Sequence, residues 1–336
     1  MLYFIICIII ILFFLSIKGN NFKDNKYKGI TSDTSICIKA ILALIIIIHH
    51  LSFQYKTNII FSQFSIMGTI CVALFFFLSG YGLMKQSLSP KDTYYQKTFL
   101  KKRFSKLLPP FILATILYSI YSLETNSWQY IANRLVKGFP PLPTSWFVYA
   151  ICWFYITFYY ANKFTQSIIS FNIFMFIATC LYCFIILIIL KWEGWWINAS
   201  FAFNIGVAIA SFEYSTYIKR INTFCYNILA ILLTTISIFA IVYKISVIYN
   251  LTICILTWLA LSKLECPYNK LLQVIGEYSY EIYLVQGATI AILANTLHIS
   301  TLSPSIGLIL TFITTFILAY LLKHITHVFS KRLKLS

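Results

Sequence analysis

Apolar runs of about twenty residues follow one another along almost the whole chain, and no other feature limits its folding as strongly. A hydrocarbon core about 30 Å thick is crossed by about 20 residues of α-helix. Such runs predict helices at 2–17, 36–54, 65–84, 106–122, 145–161, 168–190, 196–212, 223–243, 246–261, 275–296 and 304–322. With 60% of its 336 residues hydrophobic and only 10% charged, the chain lacks the polar surface that a soluble domain of this size must present. The expected fold is an all-α integral membrane protein, a multi-pass bundle of about 10–11 transmembrane helices. The first run, Tyr3 to Leu15, has neither the basic leader nor the Ala-x-Ala site of a secretory signal, and it reads as a retained helix.

Twenty-six lysines and arginines against nine acidic residues give a net charge of +17. In a soluble protein that balance would point to nucleic acid, but here the positions decide, because basic residues in short loops stay on the cytoplasmic side. With the N-terminus outside, cytoplasmic segments hold Lys18 to Lys39, Lys85 to Lys106, Lys163, Lys219 with Arg220, Lys263 with Lys270, and Lys323 to Lys334. These make 21 of the 26, and the outer side keeps Lys56, Arg134, Lys137, Lys191 and Lys244. Every alternate loop obeys the same sign, so the threading is self-consistent. Membrane lipids are expected partners and nucleic acid is not. No fixed-period repeat stands out, which argues against a solenoid or a duplicated transporter half.

Several features have bland readings. The nine cysteines are scattered in apolar stretches, and Cys180 with Cys183 has CxxC spacing but no neighbouring His or acidic ligand, so no metal site is expected. Trp128, Trp146, Trp192, Trp195 and Trp196 lie near predicted helix ends, where indole rings anchor among headgroups. Ser79, Gly80 and Gly82 interrupt the bulky FFFLSGYGLM stretch, which suits a close helix approach better than a nucleophile.

Ionisable residues inside the membrane are functional candidates, because placing them there costs several kcal/mol. His49 and His50 follow the Ile41–Ile48 run in the outer half of the second helix. Lys39 lies eleven residues before His50, which is three turns plus about 20°, so the two share a helix face. Imidazole can take and return a proton near neutral pH, as attack by a hydroxyl on a thioester requires. The alternatives are a histidine bonding a neighbouring helix or reaching the outer surface, and they apply with more force to His49. In KTFLKKRFSKLLPPF, Lys101, Lys102, Arg103 and Lys106 gather charge at the cytoplasmic end of the fourth helix. Such a group can hold phosphate or simply sit beside anionic lipid. Glu277 and Glu281 in GEYSYEIYLVQ are four residues apart, and Glu281 lies about a turn inside the membrane, where it must pair with a base or stay protonated.

Taken in order, these segments resemble membrane acyltransferase family 3, multi-pass proteins that acylate exported or surface glycans. IKAILALIIIIHH carries Lys39 and His50 at the spacing of the family's Arg and His. FFFLSGYGL is similar to its Phe run with Ser-Gly-Tyr. KKRFSKLLPP is similar to its Arg-x-x-Arg-x-x-Pro segment, here Arg103, Lys106 and Pro109. SWFVYAICWFY, with Trp146 and Phe147, is similar to its Trp-Phe helix start, and GEYSYEIYLVQ to a late motif ending Tyr-Leu-x-His, with Gln286 in place of that histidine. The resemblance runs from about Ser35 onward. It divides the chain into an extra N-terminal transmembrane helix and basic cytoplasmic loop at 1–30 and an acyltransferase-like membrane domain at 31–336.

The resemblance implies an O-acyltransferase, most plausibly an O-acetyltransferase, of the bacterial cytoplasmic membrane. The donor would be cytoplasmic acetyl-CoA or another acyl-CoA, with no permanently bound cofactor, and the acceptor a hydroxyl of a surface or lipid-linked polysaccharide. A polysaccharide-export machinery is a further expected partner. His50, with His49 and Glu281, would be catalytic, His50 serving as general base or acyl relay and Glu281 orienting or balancing charge. Lys39, Arg103, Lys106 and Lys102 would hold the cofactor's phosphates. Lysine cannot make arginine's two-pronged phosphate contact, and Gln286 cannot titrate. The rival reading is a glycan exporter or flippase that uses no acyl-CoA; a polymerase of lipid-linked sugars lacks the large arginine-bearing outer loop it would need.

Overall fold

Each of the eleven predicted spans contains a helix in the computed structural model, which describes residues 2–17, 29–89, 93–125, 146–214, 223–261 and 269–332, with 129, 132, 133, 136 and 142. Trp128, Arg134 and Lys137 lie outside the described residues. In chain order the helices are α1 (Leu2–Ile17), α2 (Ser32–Ser52), the short α3 (Ile59–Ser62), α4 (Met67–Leu88), α5 (Thr93–Thr125), α6 (Trp146–Phe164) and α7 (Ile168–Phe184). They continue as α8 (Phe201–Tyr214), α9 (Thr223–Val242), α10 (Ser246–Leu261), α11 (Lys270–Glu277), α12 (Ser279–Leu297) and α13 (Pro304–Arg332). The chain is therefore a multi-pass helical membrane protein. Seven of these segments are long and apolar enough to cross a membrane on length and composition alone, and α1 and α10 contain shorter apolar helices. The remaining two, α6 and α12, are interrupted by Tyr, Asn, Gln and Glu side chains.

Two helices overrun the apolar windows at their basic ends. α5 begins at Thr93 rather than near 106, and α13 continues to Arg332. Lysine and arginine are good helix formers, so the backbone ladder continues after hydrophobicity ends. Pro109 and Pro110 lie within α5, where each removes one N–H from the ladder and leaves the Ser105 and Lys106 carbonyls without their helical donors.

Backbone packing divides the chain into two compact units, residues 1–42, 66–92 and 160–276, and residues 43–65, 93–159 and 277–336. In the first, the most extensive packing joins α4 to α8. A Cβ on Gly80 would strike the Phe203 carbonyl, and one on Gly206 the Phe77 carbonyl, so the two backbones meet where neither has a side chain. Gly82, read with Gly80 as a contact glycine, faces open space instead. Ser79 returns its hydroxyl to the Phe75 carbonyl at 2.8 Å. Polar pairs tie other helices of this unit, among them Asn172 to Ser211, Thr179 to Asn204 and Ser237 to Thr252. Trp196 is buried against Trp192, and its carbonyl accepts from the Tyr182 hydroxyl at 3.3 Å, so it is a packing residue; the exposed Trp195 keeps the position of an interfacial anchor.

In the second unit α12 packs on α13, and both pack on α5. Tyr280 near the start of α12 donates to the Leu107 carbonyl at 2.8 Å, and Asn295 near its end donates to the Tyr121 hydroxyl at 3.0 Å, which makes α5 and α12 parallel. Phe147 of α6 lies 5.2 Å from the Tyr283 ring, and Phe158 lies 5.7 Å from Phe99 of α5.

Candidate functional site

The isoleucine run of α2 ends in His49-His50-Leu51-Ser52, and in this last turn Ser52 turns its hydroxyl back onto the His49 carbonyl at 2.6 Å. The chain is then fixed by Tyr55, whose hydroxyl donates to the Ile299 carbonyl at 2.5 Å. Burial holds that phenol's pKa above its ordinary value, so it stays a neutral donor. Leu51, Tyr55 and Phe61 form one apolar cluster with Ile290, Leu293 and Ile299. The end of α2 is thereby set at the outer half of α12.

The two histidines differ in their surroundings. His49 Nδ1 lies 3.0 Å from the Phe64 carbonyl, and since a carbonyl only accepts, this nitrogen carries the hydrogen. The contact fixes the tautomer and the ring. The His50 imidazole makes no hydrogen bond among the described residues. Its ring is held by packing alone, 4.7 Å from the His49 ring and 6.2 Å from Phe53. Both of its nitrogens are therefore available to another molecule, and an imidazole in that condition can take a proton from one group and return it to another.

At the cytoplasmic end the basic segment of α5 separates into two kinds of side chain. Phe99, Leu107, Pro110 and Ala114 form its buried stripe, and Arg103 lies on that stripe, half-buried, with its guanidinium 5.6 Å from the Phe99 ring centre. Lys102 and Lys106 are exposed. Arg103 is one turn from Leu107, whose carbonyl holds Tyr280 near the start of α12. Glu281 follows at once, mostly buried at 8% exposure, and makes no ion pair within 4.0 Å among the described residues. α11 and α12 meet at Tyr278. There Lys323 of α13 donates to the Glu277 carbonyl at 2.7 Å and lies 3.9 Å from the Tyr278 ring centre.

The Tyr280–Leu107 contact puts the start of α12 about one turn beyond Arg103 along α5, and His50 lies far from both. Ile290, whose cluster includes Leu51, is nine residues beyond Glu281, or about 13 Å along the helix. Lys39, half-buried on α2, belongs to the first unit and lies eleven residues before His50 on the same continuous helix.

Sequence reasoning passed over Glu213. This carboxylate, 4% exposed at the end of α8, accepts from the Tyr81 hydroxyl at 2.7 Å and from Trp258 Nε1 at 2.7 Å, and pairs with Lys85 at 2.9 Å. The Tyr81 oxygen in turn accepts from the Ile30 N–H at 3.0 Å, just after Gly29, whose φ of +65° favours glycine. The cluster joins α4, α8, α10 and the start of α2 at ends assigned to the cytoplasm. The available signal was an acidic residue among only nine, placed at the edge of an apolar run.

No curated protein and no solved structure gives a significant match to the chain. The family model described as "Acyltransferase domain", the third of the acyltransferase families, matches residues 35–324. That match begins just inside α2 and ends within α13, so it takes in both histidines, the α5 basic segment and Glu281. On that match, over most of its length, this multi-pass helical membrane protein belongs to acyltransferase family 3.

Proposed function

We propose that the protein is an O-acyltransferase of the bacterial cytoplasmic membrane that moves an acetyl group from cytoplasmic acetyl-CoA to a hydroxyl of an exported or surface polysaccharide. The observation that carries this reading is His50, an imidazole in the outer half of the membrane with no hydrogen bond of its own among the described residues. A histidine kept only for packing would have found a partner, as His49 did.

Donor and acceptor approach from opposite sides. Arg103, Lys102 and Lys106 hold the donor's phosphates at the cytoplasmic end, and the pantetheine arm carries the thioester toward His50. Glu281 orients the site or balances its charge. The acceptor hydroxyl gives its proton to His50 as its oxygen attacks the thioester carbonyl. The tetrahedral intermediate collapses with cleavage of the C–S bond, and the imidazolium returns the proton to the departing sulfur. The products are the glycan ester and CoA thiol, and His50 is restored. His49, tied to Phe64, keeps the neighbouring ring in place.

The test is NMR of surface polysaccharide from cells carrying the wild-type gene, a deletion, or His50→Ala. Loss of base-labile ester signals in both mutants, with polymer yield unchanged, is the expected result. Polymer missing from the surface while its esters persist would replace this reading with transport.

A further inference from the structure

Unit two contains buried polar groups that its own chain leaves unused. Gln286 of α12 is fully buried, and neither its amide nitrogen nor its amide oxygen has a hydrogen-bond partner among the described residues. The same holds for the hydroxyl of Thr315 on α13, also fully buried, and for the buried hydroxyl of Thr115 on α5. Threonines in membrane helices commonly return the hydroxyl to the carbonyl four residues back, as Thr157, Thr289, Thr311 and Thr326 do in this unit. Thr115 and Thr315 do not, although nothing in the helix geometry prevents it.

The three groups share a depth. Tyr280 and Leu107 register α12 against α5; from that contact Gln286 is six residues outward and Thr115 eight, about 9 and 12 Å. Lys323 and Glu277 register α13 against α12; from there Gln286 is nine residues outward and Thr315 eight, about 13 and 12 Å. One turn further out on the Gln286 face is Ile290, which shares a cluster with Leu51, the neighbour of His50. The polar layer thus lies between the level of Arg103 and the level of His50.

A primary amide offers two N–H donors and a carbonyl acceptor, and each hydroxyl offers one donor and two lone pairs. The matching ligand is neutral and carries an N–H and a C=O close together on a narrow chain, which describes a secondary amide. We infer that Gln286 and Thr315, on the closely packed helices α12 and α13, form a subsite that hydrogen-bonds an amide of the thioester donor's pantetheine arm. The inference rests on the acyl-CoA reading above. It gives Gln286 a positive role: a side chain that cannot titrate holds the donor in line and leaves proton transfer to His50.

Binding to the full chain in lipid nanodiscs tests it. The probes are acetyl-CoA, S-acetyl-pantetheine, and an S-acetyl-pantetheine analogue whose amides are replaced by methylene groups. Gln286→Leu is expected to weaken the first two by the same factor, about tenfold for a lost amide contact to a buried group, and to leave the analogue unchanged. The ligand-free melting temperature should hold or rise, because an unpaired polar group has been removed. Thr315→Val, nearly the same shape, should weaken the first two about threefold and guards against misfolding of the leucine variant. If both variants bind S-acetyl-pantetheine as tightly as wild type, or if their melting temperatures fall while binding holds, the layer is structural or takes only water, and the subsite is wrong. If wild type binds neither acetyl-CoA nor S-acetyl-pantetheine, the acyltransferase reading fails first and the subsite with it.

Discussion

Glu213 in the first unit and Gln286 in the second are both polar side chains withdrawn from water inside apolar helices, yet the chain treats them in opposite ways. Glu213 receives a tyrosine hydroxyl, an indole N–H and a lysine ammonium. Among the described residues, the Gln286 amide receives nothing. A buried polar group left unpaired costs about 1–3 kcal/mol, so a sequence keeps one only where something else repays the loss. The satisfied cluster holds helix ends together. On the proposal made above, the unsatisfied layer, with His50 beyond it, receives a molecule other than this chain. Between these two residues, full pairing goes with holding helix ends together and absent pairing with the proposed binding role.

His50→Ala should have the largest effect. Loss of a general base lowers transfer by about 10²–10⁴-fold, while the melting temperature and membrane level stay near wild type, since no hydrogen bond is broken. A large fall in stability would show that His50 belongs with the scaffold.

Glu213→Ala should do the reverse. It strands the Tyr81 hydroxyl and Trp258 N–H in apolar surroundings and lowers stability by about 1–3 kcal/mol, seen as a lower melting temperature in detergent. Lys85 is 40% exposed and can rehydrate, so its lost ion pair adds little. Any transfer activity should fall only in proportion to folded protein.

Gly80→Ala sharpens the scaffold side without touching charge. The added methyl must push the Phe203 backbone away, costing about 1–3 kcal/mol, and the same applies to Gly206→Ala against Phe77. Gly82→Ala, facing open space, should be silent in the same melt and serves as the control.

The smallest effects divide the basic segment. Arg103→Ala should raise the KM for acetyl-CoA about tenfold, because the guanidinium lies half-buried on the inner stripe where a charge-assisted phosphate contact is strong. Lys102→Ala should change it by less than about threefold, as expected for an exposed, screened charge. Equal effects would mean that long-range attraction, rather than a formed contact, recruits the donor.

The spans were legible because hydrocarbon thickness demands about twenty apolar residues, and the chain meets that demand openly from Leu2 to Leu322. Their ends were less legible. Hydropathy reports the slab, whereas α5 and α13 extend on helix-forming lysines and arginines beyond it. His50 could be picked out by position alone, but its difference from His49 depends on the Phe64 carbonyl fifteen residues away. Glu213 was invisible as a cluster for the same reason: Tyr81 is 132 positions distant and Trp258 is 45. Gln286 was noticed only as a histidine that is missing from a motif. That its amide is unpaired is a property of three helices together, which no local pattern records.

The central claim, that His50 moves the proton in a transfer from acetyl-CoA to a glycan hydroxyl, is tested most directly with purified full-length protein in proteoliposomes. Labelled acetyl-CoA is supplied on the cytoplasmic face and acceptor polysaccharide on the other, and CoA thiol and glycan ester are counted together. The account predicts one thiol released per ester formed by wild type and neither product above background from His50→Ala. Ester formation by that variant at the wild-type rate, with the same stoichiometry, would contradict it.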